Sequence, residues 1–165
     1  MKQNRFGQAS VLSPQHLDNL IDALPAGPHR VLATILRFTA ARVSEARMLR
    51  WAAISDTHIL FTAATTKTKT SREVPMAPQL LDVLKRWKAE TNPSPSDFIV
   101  PGGVVGRPMS RQAFDKQLRA TCEQLGLSGV STHSFRRSCL TAANDKGISL
   151  RHLQSISGHT SLAAL

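Results

Sequence analysis

The sequence predicts a mainly α-helical domain with one small antiparallel β-sheet, an α+β arrangement. Three observations carry that expectation. Apolar residues recur at three- and four-residue spacing in segments that begin on Ser or Pro and end on Gly or Pro. Two short segments, His58–Thr62 and Arg72–Met76, flank a polar Thr/Lys stretch in the manner of a hairpin. The chain has 165 residues, 41% hydrophobic and 19% charged, which is enough apolar surface for one buried core and too little length for a second full domain.

In order along the chain, Ser13-Pro14 caps and opens a first helix bearing Leu17, Leu20, Ile21 and Leu24, which stops before Pro25. Pro28 opens a second. Its run from Val31 to Phe38 is apolar almost all round, as befits a helix at the centre of the fold. A third helix is expected from about Val43 to Leu49, with Trp51 packed behind it and Ser55-Asp56 ending the pattern. After the hairpin, Leu80, Leu81, Leu84 and Trp87 mark a helix, and Asn92 to Ser96 a loop. Phe98-Ile99-Val100 reads as a short buried segment, a further strand in one reading. Ser110 caps a helix with Phe114, Leu118 and Cys122, ended by Gly126. Another runs from about Ser134 to Lys146, and a last one, capped by Ser149, carries Leu150, Leu153 and Ile156 up to Gly158. The tail from Thr160 to Leu165 looks like the first turn of one more helix.

No apolar run reaches the roughly 20 residues of a membrane span, and the polar start is unlike a secretory signal, so a soluble, unexported protein is expected. Cys122 and Cys139 stand far apart without metal-ligand spacing; they read as two structural thiols, and no metal is expected. The net charge is +10, and it is spread along the chain rather than along one amphipathic helix. Nucleic acid is the partner this favours.

Polar residues with chemical potential gather at four places. Arg42 stands at the start of the third helix, where the dipole disfavours a cation; it either pairs with Glu45 three residues on or joins the helix start in gripping one phosphate. Lys67 and Lys69 alternate with threonines, so on an extended hairpin both ammonium groups would share a face, as solvated charge or as a finger reaching a groove. His133 and Arg136, three apart, share a helix face and would place an imidazole beside a guanidinium, a repulsion that a bound anion relieves. His159 follows Gly158, either as a cationic helix cap or as a member of the same site. Arginines, lysine and histidines without a carboxylate cluster describe metal-free stabilisation of a phosphodiester transition state. With Arg136 taken as a surface guanidinium, Arg136→Ala is expected to leave the fold intact.

The order and spacing of these pieces resemble the catalytic domain of the tyrosine recombinase (phage integrase) family. TAARVSEARMLRW is similar to its first arginine box, TKTKTSREVPM to its lysine hairpin, THSFRR to its His-x-x-Arg box and SGHTSL to its Gly-His box. The resemblance spans nearly the whole chain. It implies a tyrosine recombinase catalytic fold and a site-specific recombinase that breaks and rejoins double-stranded DNA through a phosphotyrosine, without cofactor. Arg42 and Arg136 would clamp the scissile phosphate, Lys67 would protonate the departing 5′ oxygen, His133 would move a proton with the nucleophile, and His159 would donate to a phosphate oxygen. Lys67 matches the family's distance from Val74-Pro75 better than Lys69 does. Lys69, Arg72 and Arg137 are expected at the DNA, Arg137 standing where many members have a second histidine. The family's tyrosine would fall about nine residues past His159, near position 168, and the sequence contains no tyrosine. The expectation is therefore a single catalytic domain over 1–165, without its tyrosine segment or the helical core-binding domain, inactive as given and monomeric, where an intact member is a tetramer on DNA. The alternative is a module that occupies recombination sites without cutting. A cytoplasmic, DNA-associated location follows from either.

Overall fold

A computed structural model describes residues 7–165; the polar start over 1–6 lies outside the described residues. The chain runs α1 (Pro14–Ala23), α2 (Pro28–Thr39), α3 (Val43–Ala46), β1 (His58–Phe61), β2 (Arg72–Pro75), α4 (Pro78–Thr91), α5 (Arg111–Gln124), α6 (Thr132–Asp145) and α7 (Leu150–Ser157). Short 3₁₀ turns follow α3, at Trp51–Ala53, and end the chain, at Leu162–Ala164. The boundaries have local causes. Ser13, Ser110 and Ser149 accept from the backbone N–H groups of His16, Ala113 and His152, satisfying donors that the first helical turn leaves without partners. Pro14, Pro28 and Pro78 open their helices where a missing N–H costs nothing.

Helix α2 is the central element. It packs on α1, α3, α4 and α6, and Leu32, Ala33, Ile35 and Leu36 are fully buried. The two strands pair antiparallel, Ile59 opposite Val74 and Phe61 opposite Arg72. Ile59, Phe61 and Val74 enter the core while their neighbours face out, the period of two that a half-buried sheet requires. Strand β2 also touches α7, so the hairpin is tied to the last helix. No helix among the described residues is long and apolar enough to cross a membrane.

Four expectations are corrected. The third helix stops at Ala46 rather than Leu49: the chain turns so that Leu49 O accepts from Ile99 N at 3.0 Å and Trp51 N donates to Asp97 O at 3.1 Å. Phe98–Val100 forms no strand; a lone bridge joins Arg50 to Phe98, and Pro101, directly after the segment, has no N–H with which to extend the pairing. The Thr/Lys stretch is not extended. Between β1 and β2 it folds into turns, with Thr66 Oγ1 donating to Thr70 O at 3.0 Å and accepting from Thr70 N at 3.1 Å, so side-chain bonds replace the ladder. Lys69 takes φ +51° there, which breaks the extended alternation on which a common face for the two lysines depends. The tail makes a 3₁₀ turn in place of an α-helical one.

Candidate functional site

Two α2 residues and the linker after it begin the site. Thr39 Oγ1 donates back to Ile35 O at 2.7 Å, and Ala40, at the end of α2, adopts the left-handed conformation with φ 52°. That turn brings Arg42 to the start of α3. Of the two alternatives for Arg42, the pair with Glu45 is made: Arg42 Nη1 donates to Glu45 Oε1 and Arg42 N to Glu45 Oε2, both at 3.1 Å. The first donor of this short helix is thereby taken by its own carboxylate.

Glu45 is more than a surface partner. Its carboxylate is fully buried, and Arg72 Nη2 donates to Oε2 at 2.6 Å. Burial alone would raise the Glu45 carboxyl, but the hydrogen bond and charge of Arg72, with those of Arg42, more than offset it and hold it below its ordinary value. Arg72 is itself pinned: its Nε donates to Ile156 O at 2.8 Å and its guanidinium lies 4.6 Å from the centre of the Phe61 ring. One carboxylate thus joins α3, β2 and, through Arg72, the end of α7. Sequence reasoning treated Glu45 only as the partner of Arg42; its place three residues past the arginine, inside an apolar stripe, was the available signal.

Arg136 comes from α6 and is buried, 6% exposed, contrary to the surface position expected for it. Its Nη1 donates to Ala40 O at 2.5 Å and to Ser157 O at 2.8 Å, joining the left-handed turn after α2 to the last residue of α7. Burial, then the repulsion of Arg42, lower its pKa to about 10, with Glu45 opposing, so it remains a cation at neutral pH. His159 lies against it, with Arg136 Nη2 3.1 Å from each ring nitrogen. Burial first, then the charges of Arg136, Arg42 and Arg72, push the His159 pKa down to about 4. A cationic helix cap is therefore excluded: the ring is neutral at pH 7, and the cap of α7 is Gly158, at φ 69°.

The structure thus brings Arg42, Arg72, Arg136 and His159 together from separate parts of the chain. His133, exposed on the first turn of α6, lines a cavity of about 440 Å³ with Arg136 and His159. A second cleft, about 580 Å³, opens between the Thr/Lys loop and α7; Thr68, Arg72, Arg151 and His159 line it, so His159 borders both spaces. Lys67 and Lys69 are exposed on that loop and line neither. Arg137 donates to Ala9 O, which fastens the segment before α1 to α6, and its side chain also borders the 440 Å³ cavity.

Arg72, Arg136 and His159 border adjoining cavities, and Arg42 is joined to Arg72 through the Glu45 carboxylate. The model of the Phage integrase family matches residues 10–165. The chain belongs to the phage integrase family. Tyrosine recombinase XerD of Lacticaseibacillus casei is 29% identical over 159 residues, covering 87% of this phage integrase domain and 53% of that protein. The solved XerA recombinase shares the fold with a TM-score of 0.80 and 20% identity over 98% of this chain and 60% of its own. The XerH site-specific recombinase, solved bound to its difH substrate in a pre-cleavage complex, gives a TM-score of 0.75 at 21% identity, covering 95% of this chain and 49% of that one. The integrase-family chain spans about half the length of the curated relatives it matches. The mainly helical architecture with its two-stranded sheet is that of a tyrosine recombinase catalytic domain.

Proposed function

We propose that residues 1–165 form the phosphate-gripping catalytic domain of a site-specific recombinase acting on double-stranded DNA. The observation that carries this reading is the convergence of Arg42, Arg72, Arg136 and His159 on one site, with Arg42 and Arg72 held by the buried Glu45 carboxylate and Arg136 by the carbonyls of Ala40 and Ser157. In phosphodiester cleavage, negative charge grows on the non-bridging oxygens in the transition state. Fixed guanidinium groups stabilise that charge without reorganising, because their positions are already paid for by the fold. Arg42 and Arg136 are assigned to the scissile phosphate, and His159, as a neutral ring, to a hydrogen bond with one of its oxygens. His133 moves a proton with the nucleophile. Lys67, exposed on the 62–71 loop, is assigned to the departing 5′ oxygen; Lys69 and Arg137 add charge along the duplex, and Arg72, paired with Glu45, faces the DNA from within the site. The 165 residues contain no tyrosine, so the nucleophile in this reading comes from outside them.

The test joins the domain to a tyrosine-bearing segment and offers a nicked suicide duplex carrying its recombination site. A covalent protein–DNA adduct, lost in Arg42→Ala, is the expected result. Duplex binding without any adduct would favour the alternative, a module that occupies sites without cutting. A tetramer on DNA for an intact protein, against a monomer for residues 1–165 alone, is the expected outcome, read by light scattering.

A further inference from the structure

The Ser157 side chain has no role in the reading above, yet it makes one of the shortest polar contacts of the site. Its side chain is fully buried on the last residue of α7, and the left-handed Gly158 folds the chain back so that His159 lies beside it. Ser157 Oγ is 2.6 Å from His159 Nδ1. Among the described residues the other acceptor near that hydroxyl, Gln154 O, is 3.4 Å away, beyond the usual O–H···O range.

Arg136 does not compete for Nδ1 in the ring plane. An atom 3.1 Å from both ring nitrogens lies over the face of the imidazole, since in the plane that point would collide with the carbon between them. Arg136 therefore stacks on the ring and discourages a second proton, leaving the in-plane position at Nδ1 to Ser157. The hydroxyl proton has its best acceptor at Nδ1, and a neutral ring that accepts at Nδ1 carries its own proton on Nε2.

We propose that Ser157 is a positioning residue whose hydroxyl donates to His159 Nδ1 and thereby fixes the Nε2–H tautomer, giving the ring one donor for a phosphate oxygen. The backbone holds both partners in place: Arg136 Nη1 ties down Ser157 O at 2.8 Å, and Gln154 Nε2 donates to His159 O at 3.2 Å. The link to phosphate rests on the reading of His159 given under Proposed function; the tautomer does not.

Nitrogen NMR of the histidine side chains in the DNA-free protein at neutral pH reads the tautomer directly. The expected result is His159 protonated on Nε2 in the wild type, a shift toward Nδ1–H or a mixture in Ser157→Ala, and recovery in Ser157→Thr. A short double-stranded oligonucleotide then reports the consequence, an affinity about three- to tenfold weaker in Ser157→Ala. A wild-type ring protonated on Nδ1, or a tautomer unmoved by Ser157→Ala, overturns the assignment whatever the affinity does. A tautomer that moves while oligonucleotide affinity stays constant supports the role of Ser157 and counts instead against His159 as the phosphate donor.

Discussion

Glu45 illustrates how one buried charge organises several others. Two guanidinium groups reach its carboxylate, Arg42 from the start of the same helix and Arg72 from β2, and Arg72 is in turn held by the end of α7. Taking away the charge leaves Arg72, whose side chain is only 7% exposed, without its counter-ion. Glu45→Gln is therefore expected to cost about 3–5 kcal/mol and to lower the melting temperature by about 6–20 °C. Because much of that loss is the stranded cation, Glu45→Gln combined with Arg72→Met should cost less than the two single changes added together, a comparison that thermal melts of the four proteins provide. Arg136→Ala follows the same logic with a different currency. It strands the carbonyls of Ala40 and Ser157, so a loss of about 2–4 kcal/mol accompanies any loss of duplex binding. Arg136→Lys, which keeps the charge but not the fork, should recover part of the stability and less of the binding.

At the scale of elements, the turn after α7 and the loop after β1 behave oppositely. A Cβ on Gly158 would meet Arg72 Nη1 at 3.3 Å and would also have to adopt φ 69°, so Gly158→Ala is expected to cost about 1–2 kcal/mol and to displace Arg72, measurable as a melting shift and weaker duplex binding. Lys67→Ala, on an exposed loop, should leave the melting temperature within about 2 °C while slowing strand cleavage in a tyrosine-bearing protein; a clear loss of stability would show that the loop is part of the scaffold. The same contrast explains what the sequence disclosed. The helices around Leu17, Leu32, Leu84 and Phe114 were legible because serine and proline caps bracket apolar stripes, and both signals are local. The Thr/Lys stretch misled because alternation says nothing about a threonine hydroxyl that captures the backbone, as Thr66 does. Arg136 was placed on the surface because nothing near it in sequence reveals that Ala40 and Ser157, far along the chain, present carbonyls to it. The spacing of the four basic boxes pointed to the cluster, whereas Ser157, reaching His159 only through a left-handed glycine, left no pattern to read.

For the whole molecule, the +10 net charge and the buried polar site pull stability and binding in directions that pH and salt separate. Duplex affinity should fall steeply as salt rises, since each phosphate neutralised releases counter-ions; a flat response in an anisotropy titration would sink the DNA reading. Acid acts on the fold through the same residues. The ordinary histidine value is 6.5, and His159 in the folded protein sits at about 4, so between those limits the unfolded chain binds a proton that the native state refuses. Stability therefore declines as pH drops from about 6.5 to about 4 and receives no further contribution from His159 below that. Glu45 takes over at the lower end: its carboxyl is held below 4.5, so its contribution is complete above that value and is lost as pH falls through the folded one. His29, lowered by burial, acts in the same direction as His159. His159→Asn should accordingly flatten the upper part of the decline without removing it, and Glu45→Gln should flatten the lower part, starting from a less stable protein. Urea unfolding followed from pH 7 to about pH 2 distinguishes the two, and an unchanged upper limb in His159→Asn would mean that burial and the three arginines do not keep a proton from that ring.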